Sequence, residues 1–261
     1  MSKTQKELAF LRDLYVAEDW TVRFTDIFDA NLKFSGEKSI LYVNAGTGNH
    51  ALAVSEKLEQ DSNLNAFNED EELNIIAQAK ANALKSDVFF ASVFPDESFD
   101  VVLADASFVE LKNLYSFVAE IIDLSDKQVA FFLPTAGSFG EIFSFLWETL
   151  FDLDLLEKGT EVERLIAEIP TVSKIKEMVK NLGLSKLEVV TKNEIFEFEN
   201  GAEFAASPLV ADFFLPVWLD FLDEQEQKRV SERLAQIIDA DDGTLSFHFS
   251  IKATLVVGEK S

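Results

Sequence analysis

The apolar run Ser39-Ile-Leu-Tyr-Val43 is of strand length and leads into Asn44-Ala45-Gly46-Thr47-Gly48, after which Asn49–Leu58 reads as a helix. Glycines in a strand-to-helix turn let a nucleotide-like ligand approach backbone N–H groups closely. His50 lies in the first turn after this loop and is a candidate for catalysis. His248, the only other histidine, alternates with Phe247 and Phe249 in a strand pattern and reads as structural. Further along, Asn68-Glu69-Asp70 follows a second apolar run, and Asp105 ends a later one. Gly46-x-Gly48-x-x-Ala51, with Asn68 about twenty residues on, also satisfies a dinucleotide fingerprint. A hydride-transferring enzyme would add an acid for the ribose and a downstream Tyr-Lys or His set, which this chain lacks. With no cysteine, disulfides, thiolate metal sites and a cysteine nucleophile are excluded, and no metal site is expected.

Strands and helices that alternate must hold these residues in place. Residues 3–18 read as an amphipathic helix through Leu8, Leu11, Leu14 and Tyr15, and a second helical segment follows around residues 19–32. Strands are expected at 39–43, 63–67, 87–93, 99–104 and 128–133, with helices at 69–84, 108–122 and 139–150 between and after them. Strands that are apolar throughout and alternate with helices indicate a parallel sheet covered on both faces. Near residue 160 the pattern changes. A helix over 170–184 with Gly183 at its C-cap precedes a strand at 186–198, and residues 202–240 read as wholly helical. Asp242-Gly243 marks a turn, and a long alternating strand closes the chain at 244–257. The expected organisation is one domain over 1–261. It has an N-terminal helical cap (1–36), an α/β core (37–200 and 243–258) and a helical insert (201–242).

Composition narrows the partners. With 47 acidic against 23 basic residues the net charge is −24, which argues against nucleic acid and anionic membrane surfaces. Self-repulsion that keeps the chain soluble is the plain reading of that charge, and a basic protein partner the sharper one. The N-terminal MSKTQKELAF has no apolar leader-like run and no stretch is long enough to span a bilayer, so a cytoplasmic location is the default.

The blocks ILYVNAGTGNH, NAFNEDEEL and FPDESFDVVLAD, in this order, resemble the class I S-adenosylmethionine-dependent methyltransferases. The resemblance covers about residues 38–135 by motif, and the terminal helix–strand–strand order extends it toward residue 261. It implies a Rossmann-like seven-stranded, mostly parallel sheet, with the last strand inserted antiparallel beside the fifth. S-adenosylmethionine is the implied cofactor, and Asn44, Gly46, Thr47, Gly48, Asn68, Glu69, Ser92 and Asp105 the implied cofactor-binding residues. Gly46 and Gly48 match two family glycines, and Asn44 replaces the first. At the three positions where the family carries acids stand Tyr42, Asn68 and Ser92. Asn68 would accept from a ribose hydroxyl without the help of charge, with Glu69 beside it; Ser92 would lie near the adenine. Asp105 falls where family members face the transferred methyl group, and with His50 it is a candidate catalytic residue.

The implied activity is methyl transfer by in-line displacement to a small-molecule acceptor. The alternative is a methyltransferase-like module in which cofactor binding is weak or lost and which serves interaction. In the insert, Phe213, Phe214, Trp218 and Phe221 either gate a partly apolar acceptor, together with residues 1–30, or pack the insert onto the domain.

Overall fold

The computed structural model describes residues 3–240 and 246–260. The expected turn at Asp242-Gly243 lies outside the described residues. The described residues form a seven-stranded, mostly parallel sheet, made of β1 (Ser39–Val43), β2 (Asn63–Phe67), β3 (Phe89–Ala91), β4 (Phe99–Asp105), β5 (Ser125–Thr135), β6 (Leu184–Phe198) and β7 (Phe247–Lys260). The strand order is β3-β2-β1-β4-β5-β7-β6, so the last strand stands beside the fifth as the motif resemblance implies. Pairing from β3 through β5 is parallel throughout. Ile40–Val43 and Val101–Ala104 are buried without alternation, as strands covered on both faces must be. No helix among the described residues is long and apolar enough to cross a membrane.

The chain packs as two compact units, where the sequence pattern suggests one domain with an insert. The first comprises Met1–Leu133, Thr171–Lys192 and Ala253–Ser261; the second, Pro134–Pro170 and Asn193–Lys252. In the first unit, helices α1 (Gln5–Leu11) and α2 (Val22–Asn31) are joined without a break by a π-helical stretch, Arg12–Thr21. A capping box between Thr4 and Glu7 starts the run. The π stretch changes the face that the run buries. Val16, Trp20, Phe24, Ile27 and Phe28 face the core, whereas Leu14 and Tyr15, expected on the apolar face, are exposed.

Helices α3 (Asn49–Ser55), α4 (Glu71–Leu84) and α5 (Leu114–Asp123) follow β1, β2 and β4 in turn. Asp70 caps α4 by accepting from the Glu72 N–H, which fixes where that helix starts. Leu114, Val118, Ile121 and Ile122 make one face of α5 and pack with Leu41, Val102 and Ala104 of the sheet, and with Ile175 and Val179. The last two come from α8 (Val172–Asn181), for which α6 (Gly140–Asp152) and α7 (Gly159–Glu168) are the preceding helices. The sequence pattern gave no sign of α7.

The second unit holds α6 and α7 and the broken helices of the insert. Residues 202–240 are not one helix. They divide into α9 (Gly201–Ala206), a π stretch at Leu209–Phe214, α10 (Leu215–Trp218) and α11 (Glu224–Ala240). Pro208, which cannot supply an N–H, sits at the first break. Phe213, Phe214 and Trp218 are buried. Phe214 and Trp218 stack at 5.0 Å, and Phe139 meets Trp218 edge-on at 5.2 Å. These aromatics are therefore core residues of the second unit.

Candidate functional site

A cavity of about 760 Å³ opens in the first unit, outside the carboxyl ends of β1, β2 and β4. Strand order departs from β1 in opposite directions, to β2 on one side and β4 on the other, which is where open α/β sheets bind ligands. All lining residues fall between Arg12 and Glu120. The helical run at the N-terminus forms one wall.

The loop after β1 is held in an unusual backbone state. Asn44 (φ 56°), Gly46 (φ 59°) and Gly48 (φ 85°) are all left-handed. Asparagine is the non-glycine residue that best tolerates this region, so Asn44 keeps the shape of the glycine it replaces. Its Nδ2 also donates to the Asp105 carbonyl at 3.0 Å, tying the ends of β1 and β4 together. The two glycines serve different needs. A Cβ on Gly48 would lie 2.8 Å from Phe90 and 2.9 Å from Ala77, so that position is set by close packing. A Cβ on Gly46 would meet nothing within 4 Å, and the residue lines the cavity. Space over a left-handed glycine is what a ligand lying on the backbone needs. Thr47 is buried and donates to Asp13 Oδ1 at 2.6 Å; Lys80 pairs with the same carboxylate. Asp13 thus fastens the N-terminal run to the loop.

Asn68 has a task other than the expected one. It is only 2% exposed, accepts from the Gly46 N–H at 2.7 Å, and donates to the Gly46 carbonyl at 3.0 Å and to Asn74 Oδ1 at 2.7 Å. Both amide hydrogens are spent on the loop and its support, so Asn68 pins the loop instead of reaching a ribose. Glu69, next along, is exposed and lines the cavity. Ser92 is exposed and does not line it. β3 ends at Ala91, and Phe94 reaches the cavity instead, meeting Phe67 edge-on at 4.8 Å.

The acid missing at position 42 is replaced by a relay. Tyr42 Oη lies 2.8 Å from His50 Nδ1, and His50 Nε2 lies 3.2 Å from Asp29 Oδ1. With Nε2–H donating to Asp29, Nδ1 accepts the Tyr42 proton. All three line the cavity. The bond from His50, aided by Lys57, holds the Asp29 carboxyl at about 2. Burial raises the Tyr42 hydroxyl well above its usual range, and the Asp105 and Asp29 charges add to this. His50 was legible as a residue facing the site. Asp29, 21 residues earlier, carried no sequence signal.

Asp105 ends β4 in the cavity wall. Burial raises its carboxyl to about 6, against hydrogen bonds from Ser107 and the charge of Arg12. Its Oδ1 accepts from the Ser107 N–H at 2.7 Å and the Ser107 hydroxyl at 2.5 Å; Trp20 Nε1 donates to that hydroxyl at 2.9 Å. The Arg12 guanidinium lies over the Phe108 ring at 4.8 Å. Arg12, Trp20, Asp29 and Phe94 escaped the sequence reading because only the fold brings them to the loop.

No family model and no curated protein sequence matches the chain. Solved structures do. The YcgJ protein from Bacillus subtilis is similar over 92% of this chain and 98% of its own, with TM-score 0.57 and 15% identity. A phosphoethanolamine N-methyltransferase of Haemonchus contortus, solved with phosphomonomethylethanolamine and S-adenosylhomocysteine, is similar over 99% of this chain and 60% of its own (TM-score 0.56, 11% identity). Geranyl diphosphate C-methyltransferase from Streptomyces coelicolor, solved with Mg2+, geranyl diphosphate and S-adenosylhomocysteine, is similar over 92% and 79% (TM-score 0.52, 8% identity). Identities this low speak for fold alone. The strand order and these likenesses agree: the chain has the fold of the class I S-adenosylmethionine-dependent methyltransferases.

Proposed function

We propose that the chain binds S-adenosylmethionine in this cavity and serves methyl transfer to a small-molecule acceptor. The observation that carries the reading is the left-handed Gly46, with open space above it at the strand switch point. The cavity volume is within the roughly 300–1,000 Å³ of small-molecule sites. When bound, the cofactor supplies an electrophilic methyl group on a sulfonium, and the protein's part is to position both partners and exclude water. In this reading Glu69, exposed on the cavity wall, accepts from the ribose hydroxyls. Phe67 and Phe94 offer apolar faces to a purine ring. The Tyr42 hydroxyl, with its proton turned to His50, presents a lone pair to the cavity beside the loop; it suits an ammonium group such as that of a methionine portion.

A methyltransferase-like binding module is the second reading. It is favoured by Asn68 and Ser92, neither of which offers the cavity a free acid. Equilibrium titration with S-adenosylmethionine and with S-adenosylhomocysteine separates the two. Saturable binding that weakens in Glu69→Ala supports the cofactor reading. No binding of either compound at millimolar concentration would leave only the module.

A further inference from the structure

Among the described residues, eight carboxylates line the cavity against a single guanidinium, that of Arg12, and no lysine. The chain as a whole carries 47 acids to 23 bases, so the cavity is richer in acid than the chain at large. The excess is not confined to the side of Glu69 and Asp70. Glu18 and Asp26 stand on the N-terminal wall, and Glu110 and Glu120 on the wall that follows β4. Arg12 is itself placed in the field of Asp105 and Asp70 and stacks on Phe108. A cleft of one sign focuses its field and concentrates ligands of the opposite sign; like charge across such a wall is repelled. An acceptor with a carboxylate or phosphate would meet that repulsion.

Asp105 adds the chemistry. Ser107 takes up its Oδ1, whereas Oδ2 receives no hydrogen bond from the described residues. The carboxylate is fixed in rotamer by Ser107, which Trp20 anchors in turn. Phe67, Phe94 and Phe117 supply ring faces on which an ammonium group gains further attraction.

We infer that the acceptor is a cationic amine, bound as its ammonium ion among these carboxylates and N-methylated after passing its proton to Asp105. The inference rests on the cofactor reading above. The N–H bond breaks and the proton goes to Oδ2. The freed nitrogen lone pair forms the new N–CH3 bond, and the electron pair of the C–S bond stays on sulfur as S-adenosylhomocysteine. A carboxyl that burial raises to about 6 holds a proton more readily than an exposed aspartate does. A neighbouring sulfonium would lower the ammonium pKa toward it, since like charge disfavours the charged form.

The test titrates three probes that share a ring and differ in charge, phenethylamine, 2-phenylethanol and phenylacetate, into protein saturated with S-adenosylhomocysteine. Phenethylamine should bind at least tenfold more tightly than the alcohol, and phenylacetate not measurably. Raising salt from about 0.05 to about 0.5 M should weaken the amine alone. Asp105→Asn should lower amine affinity about tenfold and affinity for 2-phenylethanol by much less. The exposed pair Asp26→Asn and Glu120→Gln, which does not disturb the core, should lower it a few-fold. Phenylacetate binding as well as phenethylamine, or an amine affinity indifferent to salt and to all three substitutions, would overturn the inference. Should S-adenosylhomocysteine itself fail to bind, the cofactor reading falls and methyl transfer with it. The same probes on the unloaded protein then decide whether an amine site remains: preference for the amine keeps it, no preference removes it.

Discussion

Replacing Asn68 with aspartate is the sharpest probe of how the loop is held. The change restores the residue type that the methyltransferase motif would place there, so a ribose-binding role would make it beneficial. The structure predicts the reverse. Asn68 Nδ2 donates to the Gly46 carbonyl and to Asn74 Oδ1, and a carboxylate can donate to neither. Turning the Asn74 amide would restore one donor to position 68, but would give up the bond from Asn74 Nδ2 to the Asn68 carbonyl. One buried and one half-buried acceptor are therefore left short, at up to about 1–3 kcal/mol each. The new carboxylate, at a position only 2% exposed, also faces two oxygens. Its folded-state pKa should rise above the unfolded value, so the variant should lose stability as pH increases and recover part of it when protonated. Urea unfolding at pH 5 and pH 8, read beside S-adenosylhomocysteine titration, measures both effects. The expected result is a deficit at pH 8 that shrinks at pH 5, with cofactor affinity reduced tenfold or more. An Asn68→Asp variant as stable as the parent at pH 8 that binds more tightly would refute the loop-pinning role.

Three further predictions follow from the same geometry. Gly46→Val should abolish cofactor binding at a folding cost of about 1–2 kcal/mol for the left-handed backbone, whereas Gly48→Ala should mainly destabilise, through Phe90 and Ala77; titration and urea midpoints separate the two. His50→Phe should let the Asp29 carboxyl rise from about 2 toward the usual aspartate value, as followed by carboxyl NMR; since a depressed acid gives stability above its unfolded pKa and loses it on acidification, the variant should show less acid sensitivity below about pH 4. Asp105, raised to about 6, binds its proton more tightly folded than unfolded, so its contribution falls as pH rises from about 4 to about 6; Asp105→Asn should gain stability relative to the parent between unfolding measurements at pH 4 and pH 7.

The fold was legible because strand and helix periodicities are local. β1 and β2 coincide with their expected spans, and α4, capped by Asp70, begins within two residues of the expected start at 69. Less of the site was legible. Gly46 and Gly48 carry their backbone demand in the residue type itself. The role of Asn68 depends on Asn74 and on the Gly46 backbone, a three-way arrangement that no spacing reveals. Ser92 was placed by motif alignment along a strand that in fact stops at Ala91, which left Phe94 to take the position at the cavity. Helical spacing over residues 3–18 mistook the buried face because a π stretch turns the run beyond Leu11. The pairing of Asp29 with His50 joins separate elements, and neither residue type announces the other.

Photochemical cross-linking of methyl-labelled S-adenosylmethionine, followed by peptide mapping, tests the central claim most directly. The account predicts label on peptides that span residues 42–70 or 105–120, suppressed by excess S-adenosylhomocysteine and absent in Gly46→Val. Label confined to the insert, or incorporation that S-adenosylhomocysteine does not suppress, would contradict it.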